Sequence, residues 1–90
     1  MAIPIGMPKF GQTMTEGEIS RWERQEGEYV KKGEVLLVVE SDKAVMDVES
    51  EYSGYLIKII ARPGDVVPCG QVVAYVGDDG ETVPETQDGS

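Results

Sequence analysis

Ninety residues with a formal net charge of −9 hold one small domain with a single core, which buries about 60–65% of the surface its unfolded chain exposes. Eight basic residues stand against seventeen acidic ones, and the only adjacent pair is Lys31-Lys32, which excludes a nucleic-acid or anionic-membrane surface because phosphate contacts need clustered lysine and arginine. The lone Cys69 and the absence of histidine exclude an internal disulfide, a Cys/His metal site and a Cys–His nucleophile pair, so Cys69 reads as a small turn residue in a reducing compartment.

Glycine and proline punctuate short apolar runs, and no window shows apolar residues at i, i+3, i+4, i+7, so the chain is expected to be all-β. No apolar run approaches the ~20 residues of a membrane span, and Met1-Ala2-Ile3-Pro4 has no charged leader before an apolar core. The expectation is a soluble, unexported and, as an isolated domain, monomeric protein of the cytoplasm. In a eukaryote the mitochondrial matrix is the equivalent place, although no transit peptide is present.

Ile3 to Pro8 alternates apolar residues with Pro and Gly, as an edge strand does. Lys9 to Glu16 reads as a loop, with Phe10 and Met14 expected to pack back onto the body rather than form a ligand box. From Gly17 a pattern begins that the chain later repeats: Gly17, Gly27 and Gly33 recur as Gly54, Gly64 and Gly70 at a constant offset of 37. Ile19 answers to Leu56, Trp22 to Ile59, Val30 to Val67, Val35 to Val72, Leu36 to Val73 and Val39 to Val76, which marks two copies of one β-unit. Each copy gives a strand (Glu18 to Glu23; Tyr55 to Ile60), a very short strand (Tyr29-Val30; Val66-Val67) and a third strand (Val35 to Glu40; Val72 to Gly77). Ile19 and Trp22 break the two-residue alternation, which predicts a bulge. The unbroken run Val35 to Val39 fits a strand covered on both faces.

With Ile3 to Met7 before the first copy and Val45 to Glu49 before the second, the natural product is a flattened β-barrel or sandwich of two four-stranded sheets with pseudo-two-fold symmetry. Its two poles are then the tip Glu40-Ser41-Asp42-Lys43-Ala44, at the end of the first copy, and the exit of the chain after Gly77. The domain is read as 1–79. Residues 80–90 continue a polar run, which from Asp78 onward holds five acids and no base, as a flexible acidic linker or tail.

The tip between Val35–Val39 and Val45–Glu49 reads as a β-hairpin with Lys43 at its turn. Lys43 is the only base from Gly33 to Ile57, a stretch with six acids. Such a lysine is either a solubilising turn residue or a modification handle held clear of the body. The pentapeptide alone leaves both open.

Over residues 1 to about 79 the chain resembles the lipoyl domains of 2-oxoacid dehydrogenase complexes. The resemblance is carried by Glu40-Ser41-Asp42-Lys43-Ala44, by Gly27 sixteen positions before the lysine and Gly54 eleven after it, and by Met7-Pro8-Lys9 with Thr13-Met14-Thr15-Glu16-Gly17. It implies lipoic acid in amide linkage to Lys43, attached by a lipoate ligase or lipoyl-transfer enzyme. The arm would take an acyl group from a thiamine-diphosphate-dependent 2-oxoacid decarboxylase and present it to an acyltransferase core for transfer to coenzyme A. A flavoprotein, dihydrolipoyl dehydrogenase, would reoxidise it. Glu40, Asp42 and Ala44 are the expected recognition surface, Ser41 completes the hairpin, and Gly27 and Gly54 are expected to hold that hairpin in place.

Biotin carriers share the fold but set their lysine between two methionines, where this chain has Asp42 and Ala44. The glycine-cleavage carrier is longer and lacks the Met-Pro-Lys opening. An unmodified β-sandwich interaction module is the remaining alternative. An autonomous enzyme fits worst, because no nucleophile is paired with a base and no residue is a catalytic or metal-ligand candidate. The opening motifs look most like the acetyltransferase component of a pyruvate or acetoin complex. The peripheral-subunit-binding and catalytic domains of such a component are not in these ninety residues, which suits an excised amino-terminal domain or a free carrier.

Overall fold

Four turns of one build set the chain's course in the computed structural model, which describes residues 2–78. Each runs over four residues, Gln25–Glu28, Lys31–Glu34, Arg62–Asp65 and Pro68–Gln71, and is closed by the last N–H on the first carbonyl at 2.9–3.1 Å. The third residue is always glycine, Gly27, Gly33, Gly64 or Gly70, with φ of 93–94°. Any side chain there would cost about 1–2 kcal/mol, which is why the glycine spacing repeats. In three of the turns the acid at the fourth position also accepts the first N–H: Glu28 from Gln25 at 2.8 Å, Glu34 from Lys31 and Asp65 from Arg62 at 2.9 Å. The fourth turn begins at Pro68, which has no N–H to give, and ends at Gln71 in place of an acid.

Glu34 carries the most structure of these acids. The Lys31 N–H holds its carboxyl below the ordinary carboxylate range, and the Arg24 guanidinium, 3.2 Å away, adds to the effect. A lowered folded pKa contributes stability above the unfolded value, and that contribution is lost as pH falls through the folded one. Glu34→Gln is therefore expected to melt below the parent at pH 7, with a smaller gap at about pH 3. Thermal melts at both values check this, and an equal gap at the two would refute it.

The turns join eight strands: β1 (Ile3–Gly6), β2 (Glu16–Trp22), β3 (Tyr29–Val30), β4 (Val35–Glu40), β5 (Val45–Glu49), β6 (Gly54–Ile59), β7 (Val66–Pro68) and β8 (Val72–Gly77). They form two antiparallel sheets in the orders β1-β8-β6-β3 and β5-β4-β2-β7. Advancing each label by one repeat turns the first order into the second. The sheets are thus pseudo-symmetric as expected, but neither sheet is one sequence copy; each interleaves two strands from both. The predicted bulge lies between Ile19 and Arg21, and its mate between Leu56 and Lys58.

Interleaving also moves strand ends. β2 starts at Glu16 rather than Glu18 because Glu16 pairs with Pro68 of the other copy, and β6 starts at Gly54 because Val30 pairs with it. Matched residues fill the core: Ile19 and Leu56, Leu36 and Val73, Val39 and Val76 are all fully buried. The run Leu36 to Val39 is at most 1% exposed, so β4 is covered on both faces.

The register ties the tip to the chain ends. In β4–β5, Leu37 faces Val48, Val38 faces Asp47 and Val39 faces Met46; in β8–β1, Ala74 faces Ile5, Tyr75 faces Pro4 and Val76 faces Ile3. The β8–β1 pair is the symmetry mate of the Lys43 hairpin, with the entering and leaving chain in place of the turn. The copies differ in one insertion, because ten residues separate Gly6 from Gly17 and only four separate Glu49 from Gly54. That surplus is the loop between β1 and β2. The expected linker, residues 80–90, lies outside the described residues.

Candidate functional site

The Lys43 tip is a tight hairpin built without glycine. Beyond the Glu40–Val45 pair, Ser41 N–H donates to the Ala44 carbonyl at 2.8 Å, leaving Asp42 and Lys43 at the end. Neither takes a positive φ, so this is not one of the primed turns that match strand twist. Ser41 supplies what the backbone does not: its hydroxyl accepts the Lys43 N–H at 3.3 Å and reaches the Ala44 carbonyl at 3.4 Å. Asp42, Lys43 and Ala44 are exposed, and the Lys43 ammonium makes no hydrogen bond or ion pair among the described residues.

On one side of the tip the inserted loop closes a cleft of about 450 Å³, walled by Phe10, Met14 and Met46 and reaching Lys43 and Ala44. The loop is pinned to the turn of the other copy. Met7 exchanges backbone hydrogen bonds with Gly70 and Gln71, Cys69 N–H donates to Thr15, and the Cys69 thiol lies 3.6 Å from the Pro8 carbonyl and 3.7 Å from that of Met14. Met14 packs on the core as expected, and its sulfur accepts the Phe10 N–H at 3.3 Å. Phe10 does not pack away; it is 43% exposed at the cleft.

On the other side lies a shallower acidic groove of about 210 Å³, which adds Glu16 and Glu18 to Glu40 and Asp42. The β2–β4 register sets Glu18 directly opposite Glu40, a like-charge pair that costs stability. Sequence distance hides Glu16 and Glu18, and only the pairing of β2 with β4 and β7 reveals them.

Neither Gly27 nor Gly54, expected to hold the hairpin in place, lies within β4 or β5. Gly27 serves its turn, and Gly54 serves the other sheet, where an added Cβ would come within 2.9 Å of the Gly77 carbonyl oxygen. The glycine at the base of the site is Gly17, whose Cβ would meet Val39 at 2.7 Å, Met14 at 3.1 Å and Met7 at 3.3 Å.

Chemically, the site offers one exposed amine on a hairpin tip, flanked by an apolar cleft and an acidic groove. A family model described as "Biotin-requiring enzyme", the biotin/lipoyl model, matches residues 3–76. The chain is 40% identical over 85 residues to the dihydrolipoyllysine-residue acetyltransferase component of the acetoin cleaving system of Bacillus subtilis, covering 94% of this chain and 21% of that protein. It is 43% identical over 83 residues to component 5 of the chloroplastic pyruvate dehydrogenase acetyltransferase of Arabidopsis thaliana, covering 92% and 18%. The chain therefore spans about a fifth of the length of these relatives. The solution structure of the lipoyl domain of the 2-oxoglutarate dehydrogenase complex from Azotobacter vinelandii superposes with a TM-score of 0.70 at 32% identity, covering 87% of this chain and 99% of that one.

Proposed function

The chain belongs to the biotin/lipoyl attachment family as a lipoyl-type domain, and we propose on that premise that it carries lipoic acid on Lys43 as the mobile acyl carrier of a dihydrolipoyllysine acetyltransferase. The observation that supports this most is the Lys43 amine, exposed and without a partner among the described residues on a two-residue tip that Ser41 holds in shape. The residues fit the group: the amine is free to form an amide, and Phe10, Met14 and Met46 offer apolar and thioether surface to a dithiolane. Bound there, the group supplies acyl-accepting and redox chemistry. The chain's own residues present and identify it. Asp42 and Ala44 flank the lysine where a methionine pair would suit biotin.

The partners in this reading are a lipoate ligase or transferase, a 2-oxoacid decarboxylase, the acyltransferase core and dihydrolipoyl dehydrogenase, in a pyruvate or acetoin complex of the cytoplasm or the mitochondrial matrix. Tethering replaces diffusion with a local concentration of about millimolar order. Incubation with a lipoate ligase, lipoate and ATP should add one lipoyl group by intact mass, mapped to the Lys43 peptide. No addition, or an addition on another lysine, would overturn the proposal, and the same reaction with biotin ligase and biotin should leave the mass unchanged.

The repulsion between Glu18 and Glu40 is retained, in this reading, because the acidic side of the tip is read by partners. Complementary charge mainly raises encounter rates. Joint Glu40→Gln and Asp42→Asn should therefore slow reductive acylation several-fold at low salt, with the difference closing as salt rises. Equal low-salt rates would show that this charge is not read.

A further inference from the structure

A second groove, of about 410 Å³, runs between β1 and β5. Each is the outer strand of its sheet, so both turn an unpaired backbone edge outward. Ile5 and Val48 form apolar walls, and the rings of Phe10 and Tyr52 stand over it 43% and 42% exposed. Phe10 also walls the Lys43 cleft, so the two recesses share a boundary.

We propose that this groove docks an extended segment of a partner protein with lysine or arginine at alternate positions, laid along the open edge of β5. Asp47 and Glu49 line the groove two residues apart on β5, and Glu51 follows. Alternate strand residues share a face about 7 Å apart, and an extended segment carries its own alternate side chains at that same spacing. None of the three carboxylates makes an ion pair among the described residues, and no lysine or arginine lines the groove. The edge of β5 lacks proline, so an added strand finds its backbone groups available, whereas Pro4 blunts β1. The exposed rings add cation–π surface for the basic heads.

Charge selects among possible occupants. A second copy would bring the same row of acids, and residues 79–90 of this chain bring four acids and no base, so both are repelled. A basic strand is attracted. Its partner would be held beside the Lys43 cleft without relying on contacts at the tip, and the docking does not depend on modification of Lys43.

The test is fluorescence anisotropy of the unmodified full chain with a labelled peptide of alternating lysine and valine, at about 20 mM salt. The comparator has the same composition with its lysines in one block. The alternating peptide should bind about tenfold tighter than the block peptide, and joint Asp47→Asn and Glu49→Gln should cost about tenfold. Lys43→Arg and Asp42→Asn should leave binding unchanged, and amide NMR shifts should concentrate on Val45–Glu49. Equal binding of both peptides would show unspecific attraction. No binding, or equal sensitivity to Asp42→Asn, would show that the acids only guard an edge. Any of these overturns the proposal, and none bears on lipoylation.

Discussion

Lys43→Arg is expected to abolish lipoylation completely while leaving the fold as stable as the parent. Amide formation needs an amine that can give up its proton and attack, and a guanidinium does neither at any pH an enzyme uses. Charge and length are nearly kept, so loss of modification isolates the nucleophile. Among the described residues the exposed side chain makes no hydrogen bond or ion pair, and such surface substitutions stay within about 0.5 kcal/mol. Intact mass after the ligase reaction, with a thermal melt of the same sample, checks both halves. An addition that persists in the variant would move the site to Lys9, Lys31, Lys32 or Lys58.

Gly54→Ala should be strongly destabilising for a single added methyl. Its Cβ would stand 2.9 Å from the Gly77 carbonyl oxygen and 3.1 Å from Val76 Cγ1. Gly54 begins β6, between β3 and β8, so a main-chain oxygen can yield only by parting strands. A cost of about 2–3 kcal/mol follows for such overpacking. In a domain of this size that lowers Tm by roughly 10–20 °C. Gly27→Ala meets nothing within 4 Å and pays only for its positive φ of 94°, about 1–2 kcal/mol. Urea unfolding of the two variants ranks them, and a Gly54→Ala value within 0.5 kcal/mol of the parent would refute the argument. Because Gly54 lies in the sheet opposite the hairpin, lipoylation per folded molecule should not change. A slowed reaction on fully folded Gly54→Ala would restore a role for it at the tip.

Much of this was legible in the residues. Positive-φ glycines leave a mark because other side chains are strained there, so Gly27, Gly33, Gly64 and Gly70 gave away both turns and repeat. Buried positions leave a mark because they must be apolar, so Ile19 with Leu56 and Val39 with Val76 could be matched before any strand was paired. The ends of β3, β4, β5 and β8 fell where expected because turns bound them locally. Those of β2 and β6 did not, because partners far along the chain set them.

The candidate site divides along the same line. By itself the sequence determined the repeat, the all-β fold, and one lysine at a hairpin tip whose neighbours resemble a lipoyl attachment site. Those are properties of local conformation and of residue type, which each residue carries with it. Tertiary structure alone decided that each sheet draws on both copies, that Glu16 and Glu18 join Glu40 and Asp42, and that the six-residue insertion stands over Lys43 as one wall of a cleft. It also put Gly54 in the sheet that does not contain the hairpin and set β1 beside β5 across an acidic groove. The physical reason is that pairing between strands distant in sequence is fixed by the joint burial of both sheets, and no single segment contains that information.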